Sequence, residues 1–100
     1  GADPIIDFYK GNAYYGLGEC EKAEAYFVSA SHLKKDWSGP WQNRMECWVR
    51  NNKYENAIPM LDTMIVKFDY TVTYAKFVFG DYPDFINSSK FRAWESKHSE

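Results

Sequence analysis

The sequence predicts an all-α fold made of two helical hairpins followed by a C-terminal capping segment. Apolar residues recur at three- and four-residue intervals over four long stretches, which is the spacing of one helix face. Glycine, proline and asparagine stand between those stretches, where they end a helix and allow a turn. The first two stretches also resemble the next two at a constant offset of 34 residues. A fixed period of this length, with a hairpin in each copy, indicates a repeat architecture.

The first predicted hairpin begins at Asp3-Pro4, a capping residue followed by the proline favoured at a first helical position. Gly18 ends the first helix, because glycine readily adopts the left-handed conformation found at helix C-termini. The second helix spans about Cys20 to Leu33. Its apolar stripe is Ala23, Tyr26, Phe27, Ala30 and Leu33.

The second predicted hairpin follows a turn at residues 36–40 and begins near Pro40. Its first helix ends at Asn51-Asn52, and its second helix runs from about Tyr54 to Phe68. Pro59 lies near the start of that second helix, where we expect the missing N–H to do little harm.

The remaining segment is predicted to form a cap, and its first part is ambiguous. Residues 70–79 are rich in β-branched and aromatic side chains, a pattern that allows either a strand or a fifth helix. Their place after four helices favours the helix. We expect Pro83 to stop this element and Ser89 to cap a last helix, whose Phe91 and Trp94 point inward. Such a segment would cover the last apolar face of an array.

The 34-residue offset pairs residues of like character in the two hairpins. The pairs include Gly11 with Met45, Tyr14 with Trp48, Gly18 with Asn52, Ala23 with Ala57 and Phe27 with Leu61. The tetratricopeptide repeat family has a small residue, then a large aromatic residue three positions later, then an alanine and an aromatic residue four beyond it, and the chain resembles this pattern. The run Ala-Ile-Pro-Met-Leu at 57–61 is also similar to a second helix of that family.

The resemblance implies one domain over residues 1–100, built as a right-handed solenoid. Repeats would occupy 4–37 and 38–71, and a partial third repeat with the cap would occupy 72–100. The C-terminal tail resembles the end caps of some bacterial proteins of the family. The departures from the family pattern are Asp7 for the leading tryptophan, Lys10 and Arg44 for leucine, Lys35 for the closing proline, and bulky Met45 in the small position.

In this family, the first helix of each repeat lines a concave groove that takes a partner peptide. The resemblance therefore implies a protein–protein interaction module that binds a peptide or protein partner in this groove, without catalysis. The implied groove residues are Phe8, Asn12, Tyr15, Gln42, Glu46, Val49 and Arg50. Asn12 would bond the peptide backbone, and Phe8 and Tyr15 would make apolar contacts. Alternatively, these two rings belong to the core or to a longer array.

The segment Lys10-Gly11-Asn12 is similar to the opening of chaperone-binding members, whose asparagine helps to hold a C-terminal carboxylate. Phe8 stands where those members have a lysine, and Glu46 stands where they have a second asparagine. Because the Glu46 carboxylate would repel another carboxylate, we do not expect a chaperone-tail clamp.

An alternative function uses the aromatic residues near the C-terminus. Trp37, Trp94 and the run Phe77 to Phe79 either pack the cap or form an interface with a sister chain or a parent domain. In the second case, the chain is a structural or oligomerisation module of a larger protein, with its aromatic cap as the interface. Self-association is an expectation of this alternative.

Composition argues against several other classes. The net charge of −2, with no basic block, weighs against a nucleic-acid partner. No apolar run approaches the ~20 residues of a membrane helix, so we predict a soluble chain without membrane insertion. Its compartment, cytoplasm or periplasm, stays open.

The chemistry-bearing residues do not assemble into a predicted active site. The two cysteines and two histidines lack the close pairs of a zinc site, and neither a catalytic triad nor a phosphate-binding glycine loop is recognisable. We therefore predict no metal, no cofactor and no enzymatic activity. Cys20 lies at a hairpin turn and Cys47 in the middle of a helix, so we expect no disulfide between them.

Overall fold

A computed structural model of the protein describes residues 3–98. Within these residues the chain forms seven α-helices and no strand, which confirms the predicted all-α class. The helices are α1 (Pro4–Gly16), α2 (Cys20–Leu33), α3 (Gly39–Arg50), α4 (Tyr54–Phe68), α5 (Val72–Val78), α6 (Pro83–Ile86) and α7 (Ser89–His98).

The chain divides into two compact units, which we describe separately. Unit 1 comprises Gly1–Cys47, and unit 2 comprises Trp48–Glu100. The division falls within α3, so the first part of this helix belongs to unit 1 and its last turn to unit 2. The predicted single domain with boundaries near 37 and 71 stays a prediction.

Unit 1 is built on the hairpin of α1 and α2, whose ends follow the predicted signals. The Asp3 carboxylate accepts hydrogen bonds from the backbone N–H groups of Ile5 and Ile6, which α1 leaves unpaired at its start. Gly18 follows the end of α1 with a positive φ of 79°. Glycine adopts this conformation without the steric cost that a β-carbon brings, so both expectations are confirmed.

The two helices of this hairpin approach closely because Gly11 has no side chain. A β-carbon at Gly11 would lie 2.5 Å from Cε1 of Phe27 and 2.7 Å from its Cδ1. Phe27 is fully buried there and shares a core cluster with Ala23 and Cys47. The small position predicted from the repeat pattern is therefore occupied by a ring from the opposing helix.

In unit 2, α4 has the predicted bounds but contains Pro59 in its interior. Pro59 is the sixth residue of α4, beyond the first turn in which backbone N–H groups have no helical partner. Residue 59 therefore cannot donate to the carbonyl of Glu55, and the expectation that this missing N–H does little harm stays a prediction. Glu55 and Pro59 are both exposed, and α4 continues past Pro59 to Phe68.

Most of the ambiguous segment, residues 70–79, forms the helix α5, and Thr71 is its N-cap. The Thr71 hydroxyl accepts a hydrogen bond from the backbone N–H of Tyr74, and α5 follows. Two details of the predicted cap are wrong. Pro83 does not stop α5, which has already ended at Val78; instead it begins the short helix α6. The last helix is capped by the hydroxyl of Ser88, which accepts from the N–H of Phe91, and not by Ser89.

The cap is held together by a continuous row of aromatic rings. Phe79, Phe85, Phe91 and Trp94 follow one another with ring centroids 5.1–5.3 Å apart, and all four are buried. The inward direction expected of Phe91 and Trp94 is confirmed. Edge-to-face and tilted pairs of this kind stabilise a core beyond the area that they bury.

We predict that Gly11→Ala destabilises the chain by about 1–3 kcal/mol, because the added carbon overlaps the buried Phe27 ring. Gly16→Ala is the matched control, since a β-carbon there would meet no atom within 4 Å. It should leave stability unchanged or raise it by up to about 1 kcal/mol. Urea unfolding followed by circular dichroism measures both changes, and equal effects of the two substitutions would contradict this account of the hairpin.

Candidate partner-binding surface

In unit 1, two side-chain hydrogen bonds join α1 to α3. Asn43 Nδ2 donates to Asn12 Oδ1 at 2.8 Å, and the Tyr15 hydroxyl donates to Glu46 Oε2 at 3.3 Å. Both bonds connect residues that are 31 positions apart. Because the separation is constant, these parts of α1 and α3 run side by side in the same direction. The structure thus brings together Asn12, Tyr15 and Glu46 from the predicted groove.

Asn12 has donor capacity left after this bond. Its side-chain oxygen accepts from Asn43, whereas its Nδ2 makes no hydrogen bond within residues 3–98 and is not buried. An asparagine amide nitrogen carries two N–H donors. Asn12 can therefore donate to a carbonyl of a partner without giving up its bond to Asn43.

Phe8 and Tyr15 are half-buried and pack against the buried cluster of unit 1. The Phe8 ring centroid lies 4.5 Å from that of Trp37 and 5.9 Å from that of Phe27. Both rings thus make core contacts, which agrees with the alternative that they belong to the core. Part of each residue's surface is still exposed to solvent. Their contact with a partner stays a prediction.

Three residues that depart from the family pattern each have a partner on α2. Ser29 Oγ donates to Asp7 Oδ2 at 2.7 Å, and Asp7 as a residue is only 7% exposed. The Lys10 ammonium lies 5.7 Å from the centroid of the Tyr26 ring. Arg44 forms an ion pair with Glu24 at 3.0 Å. Polar contacts therefore stand at positions where the family pattern has apolar side chains.

The other predicted groove residues lie on α3. Gln42 is half-buried in unit 1. Val49 and Arg50 belong to unit 2, where they line a cavity of about 230 Å³ together with Asp81 and Asp84. Val49 is only 2% exposed, whereas Arg50 is exposed. Of these two, Arg50 is thus the residue that presents its side chain to solvent.

Unit 2 also contains a larger groove that the sequence reasoning missed. It lies between α4 and α7 and has a volume of about 400 Å³. Its lining residues are Glu55, Ile58, Pro59, Asp62, Lys90, Ala93, Trp94 and Lys97. The signal was present as a charged–apolar–apolar–charged spacing on each helix, but nothing local showed that the two helices lie side by side.

Between residues 3 and 98, no group of three or more His, Cys, Asp or Glu residues is arranged to hold a metal ion. No helix in this range is long and apolar enough to span a membrane. Cys20 and Cys47 are both free cysteines, the first partly buried and the second buried.

Comparison with known proteins adds no assignment. No protein-family model, curated protein or solved structure matches the chain. Any functional conclusion therefore depends on the residues described above.

We predict that Asn12 and Asn43 are energetically coupled across α1 and α3. Each single alanine substitution should cost about 0.5–1.5 kcal/mol, because it removes a partly buried hydrogen bond and strands the remaining amide. The double substitution should cost less than the sum, since the bond can be lost only once. Urea unfolding of the four proteins of this cycle measures the coupling, and strictly additive costs would argue against the bond.

Proposed function

We propose that the chain is a tetratricopeptide-like interaction module that holds an extended peptide or protein segment along α1 and α3, without catalysing a reaction. The proposal includes the right-handed solenoid that the family resemblance implies. The partner is a polypeptide rather than a nucleic acid, since the net charge is −2 and the sequence has no basic block.

The match between the repeat period and the helices supports this proposal. The second helices of the two hairpins begin 34 positions apart, at Cys20 and Tyr54, and the first helices end 34 positions apart, at Gly16 and Arg50. The paired residues Ala23 and Ala57 are both fully buried. A helical pair that recurs at this period is the form of a tetratricopeptide array.

The observation that carries the proposal is the polar row formed by α1 and α3 in unit 1. Asn12 and Tyr15 face Asn43 and Glu46 across the two helices, so the first helices of successive hairpins are neighbours here. The row presents amide N–H donors at Asn12 and the negative charge of Glu46, whose Oε2 accepts from Tyr15. An extended peptide exposes the matching carbonyl and N–H groups along its backbone.

The negative charge of Glu46 limits which side chains a bound peptide can carry at this row. Glu46 places a carboxylate about one helical turn from Asn43, on the same helix face. A C-terminal or acidic residue would be repelled there. The peptide is therefore bound through its internal backbone and carries neutral or basic side chains beside Glu46.

Asn12→Asp tests this function with minimal change of shape. The substitution keeps an oxygen that accepts from Asn43 but removes the side-chain N–H donors. Asn56→Asp, at an exposed position on α4, is the control with the same charge change. Affinity capture from a lysate of the source organism, quantified by mass spectrometry, should yield a partner with wild type and Asn56→Asp that is depleted about tenfold with Asn12→Asp, the effect of one lost hydrogen bond at a binding surface.

Circular dichroism and urea unfolding should first establish that all three proteins are equally folded. Cross-linking of the captured partner should then place it against α1 or α3. Equal capture by Asn12→Asp and wild type, or cross-links confined to other helices, would overturn the proposed binding surface.

A second candidate function rests on exposed rings of the cap. Phe77 is 79% exposed and Tyr74 is 45% exposed, and their ring centroids lie 6.2 Å apart on α5. Large apolar groups exposed side by side commonly mark an interaction surface. They favour the alternative of a structural module that joins a sister chain or a parent domain through its cap.

This alternative predicts that Phe77→Ser lowers self-association while leaving the fold intact, since the ring is outside the core. Sedimentation velocity of wild type and variant over a range of concentrations measures the effect. Val66→Ser is the control, because Val66 is an apolar residue of α4 that is 83% exposed. Unchanged association of Phe77→Ser would remove the aromatic cap as a self-interface.

A further inference from the structure

The groove between α4 and α7 in unit 2 carries a regular arrangement of charge. Each helix contributes four lining residues at positions i, i+3, i+4 and i+7, the spacing of one helix face. On α4 these are Glu55, Ile58, Pro59 and Asp62. On α7 they are Lys90, Ala93, Trp94 and Lys97. Both rows read charged, apolar, apolar, charged, but α4 supplies the negative charges and α7 the positive ones.

The two rows run in the same direction. Near the beginnings of the helices, Tyr54 contacts Phe85 and Phe85 contacts Phe91, with ring centroids 5.0 and 5.1 Å apart. Further along, Trp94 Nε1 donates to Asp62 Oδ1 at 2.9 Å. These contacts align the start of α4 with the start of α7.

A second contact confirms the alignment at the other end. His98 Nε2 lies 3.0 Å from the same Asp62 oxygen, so the later parts of α4 and α7 also meet. Glu55 and Lys90 therefore occupy one end of the groove, and Asp62 and Lys97 occupy the other. Seven helical residues separate the charges of each row by about 10.5 Å.

Among residues 3–98, most of this charge is uncompensated. Within residues 3–98, Glu55, Lys90 and Lys97 form no ion pair. All three are exposed. Asp62 uses only Oδ1 for Trp94 and His98, and its Oδ2 has no partner in this part of the chain. An occupant of the groove would have to offer cations to one row and anions to the other, with apolar groups between them.

A second copy of this chain meets that requirement by symmetry. A two-fold axis along the groove lays α4 of each copy on α7 of the other and keeps the direction of the rows. Glu55 then faces Lys90 of the second copy, and Asp62 faces Lys97 of the second copy. Each contact occurs twice, so four opposite-charge pairs surround the apolar residues. A two-fold axis across the groove would instead oppose like charges, so the pattern selects one arrangement.

We propose that the face formed by α4 and α7 is the interface of a two-fold homodimer of this chain. The inference does not rest on the peptide-binding proposal, because it uses only residues of unit 2. It also differs from self-association through the aromatic cap, since neither Tyr74 nor Phe77 lines this groove.

A charge swap at one end of the groove tests the dimer on the full chain. Glu55→Lys and Lys90→Glu each replace two attractions per dimer by repulsions. Each variant alone should dissociate at roughly tenfold higher concentration than wild type or more, given the energies of exposed ion pairs. An equimolar mixture of the two variants restores opposite charges at every contact and should associate about as tightly as wild type.

Sedimentation equilibrium, with one variant carrying a fluorescent label, measures both the single variants and the mixture. The two substituted side chains are exposed and form no ion pair in the described part of the chain, so urea unfolding should show unchanged folding. Lys53→Glu, an exposed change of the same charge outside the groove lining, should leave the dimer intact. Dimerisation should also weaken at high salt.

Three outcomes would overturn the proposal. One is a wild-type chain that stays monomeric up to millimolar concentration. Another is association of both single variants with wild-type affinity, or a mixture that associates no better than either variant alone. The third is loss of the dimer in Phe77→Ser with no effect of the charge changes, which would assign self-association to the aromatic cap.

Discussion

In unit 1, the close contact between the Gly11 backbone and the Phe27 ring sets the separation of α1 and α2. Once the ring occupies the space that a side chain would take, neighbouring rings also meet across the hairpin. Tyr14 stacks on Tyr26 with centroids 5.6 Å apart, and Phe8 reaches Phe27. With α1 held in this way, Asn12 is turned toward Asn43 on α3. The proposed peptide surface therefore depends on a packing contact that no peptide would touch.

Unit 2 depends in a comparable way on the row of rings that ends at Trp94. The buried Phe85 ring links Tyr54 of α4 to Phe91 of α7, and the bond from Trp94 to Asp62 holds the two helices in register. The charged residues along each helix would otherwise be ordinary solvated side chains, worth little to stability. The α4 row is negative and the α7 row is positive. Because the two rows are aligned, the face that they form is complementary to the same face of a second copy. The dimer proposal is thus a consequence of how the cap packs.

Local signals in the sequence predicted the ends of a helix closely where one residue type is enough to start or end it. Asp3-Pro4 and Gly18 bound α1 as expected, and α2 and α4 have the predicted ends. The cap was harder to predict because its signals are degenerate. Ser88 and Ser89 are equally good capping residues by type, and only the position of the buried Phe91 selects Ser88. Pro83 can end one helix or begin another, and only the earlier end of α5 at Val78 decides that it begins α6.

The sequence by itself determined the helical class, the positions of α1 to α4, and the need for a small residue at Gly11, because periodicity, capping and turn chemistry act over a few neighbouring residues. Tertiary structure alone decided that Phe8 contributes to a core, that Asn12 bonds Asn43, and that the α4 and α7 rows face the same groove. These contacts join residues about 20 to 40 positions apart. Their geometry follows from how helices pack, and no local pattern encodes it.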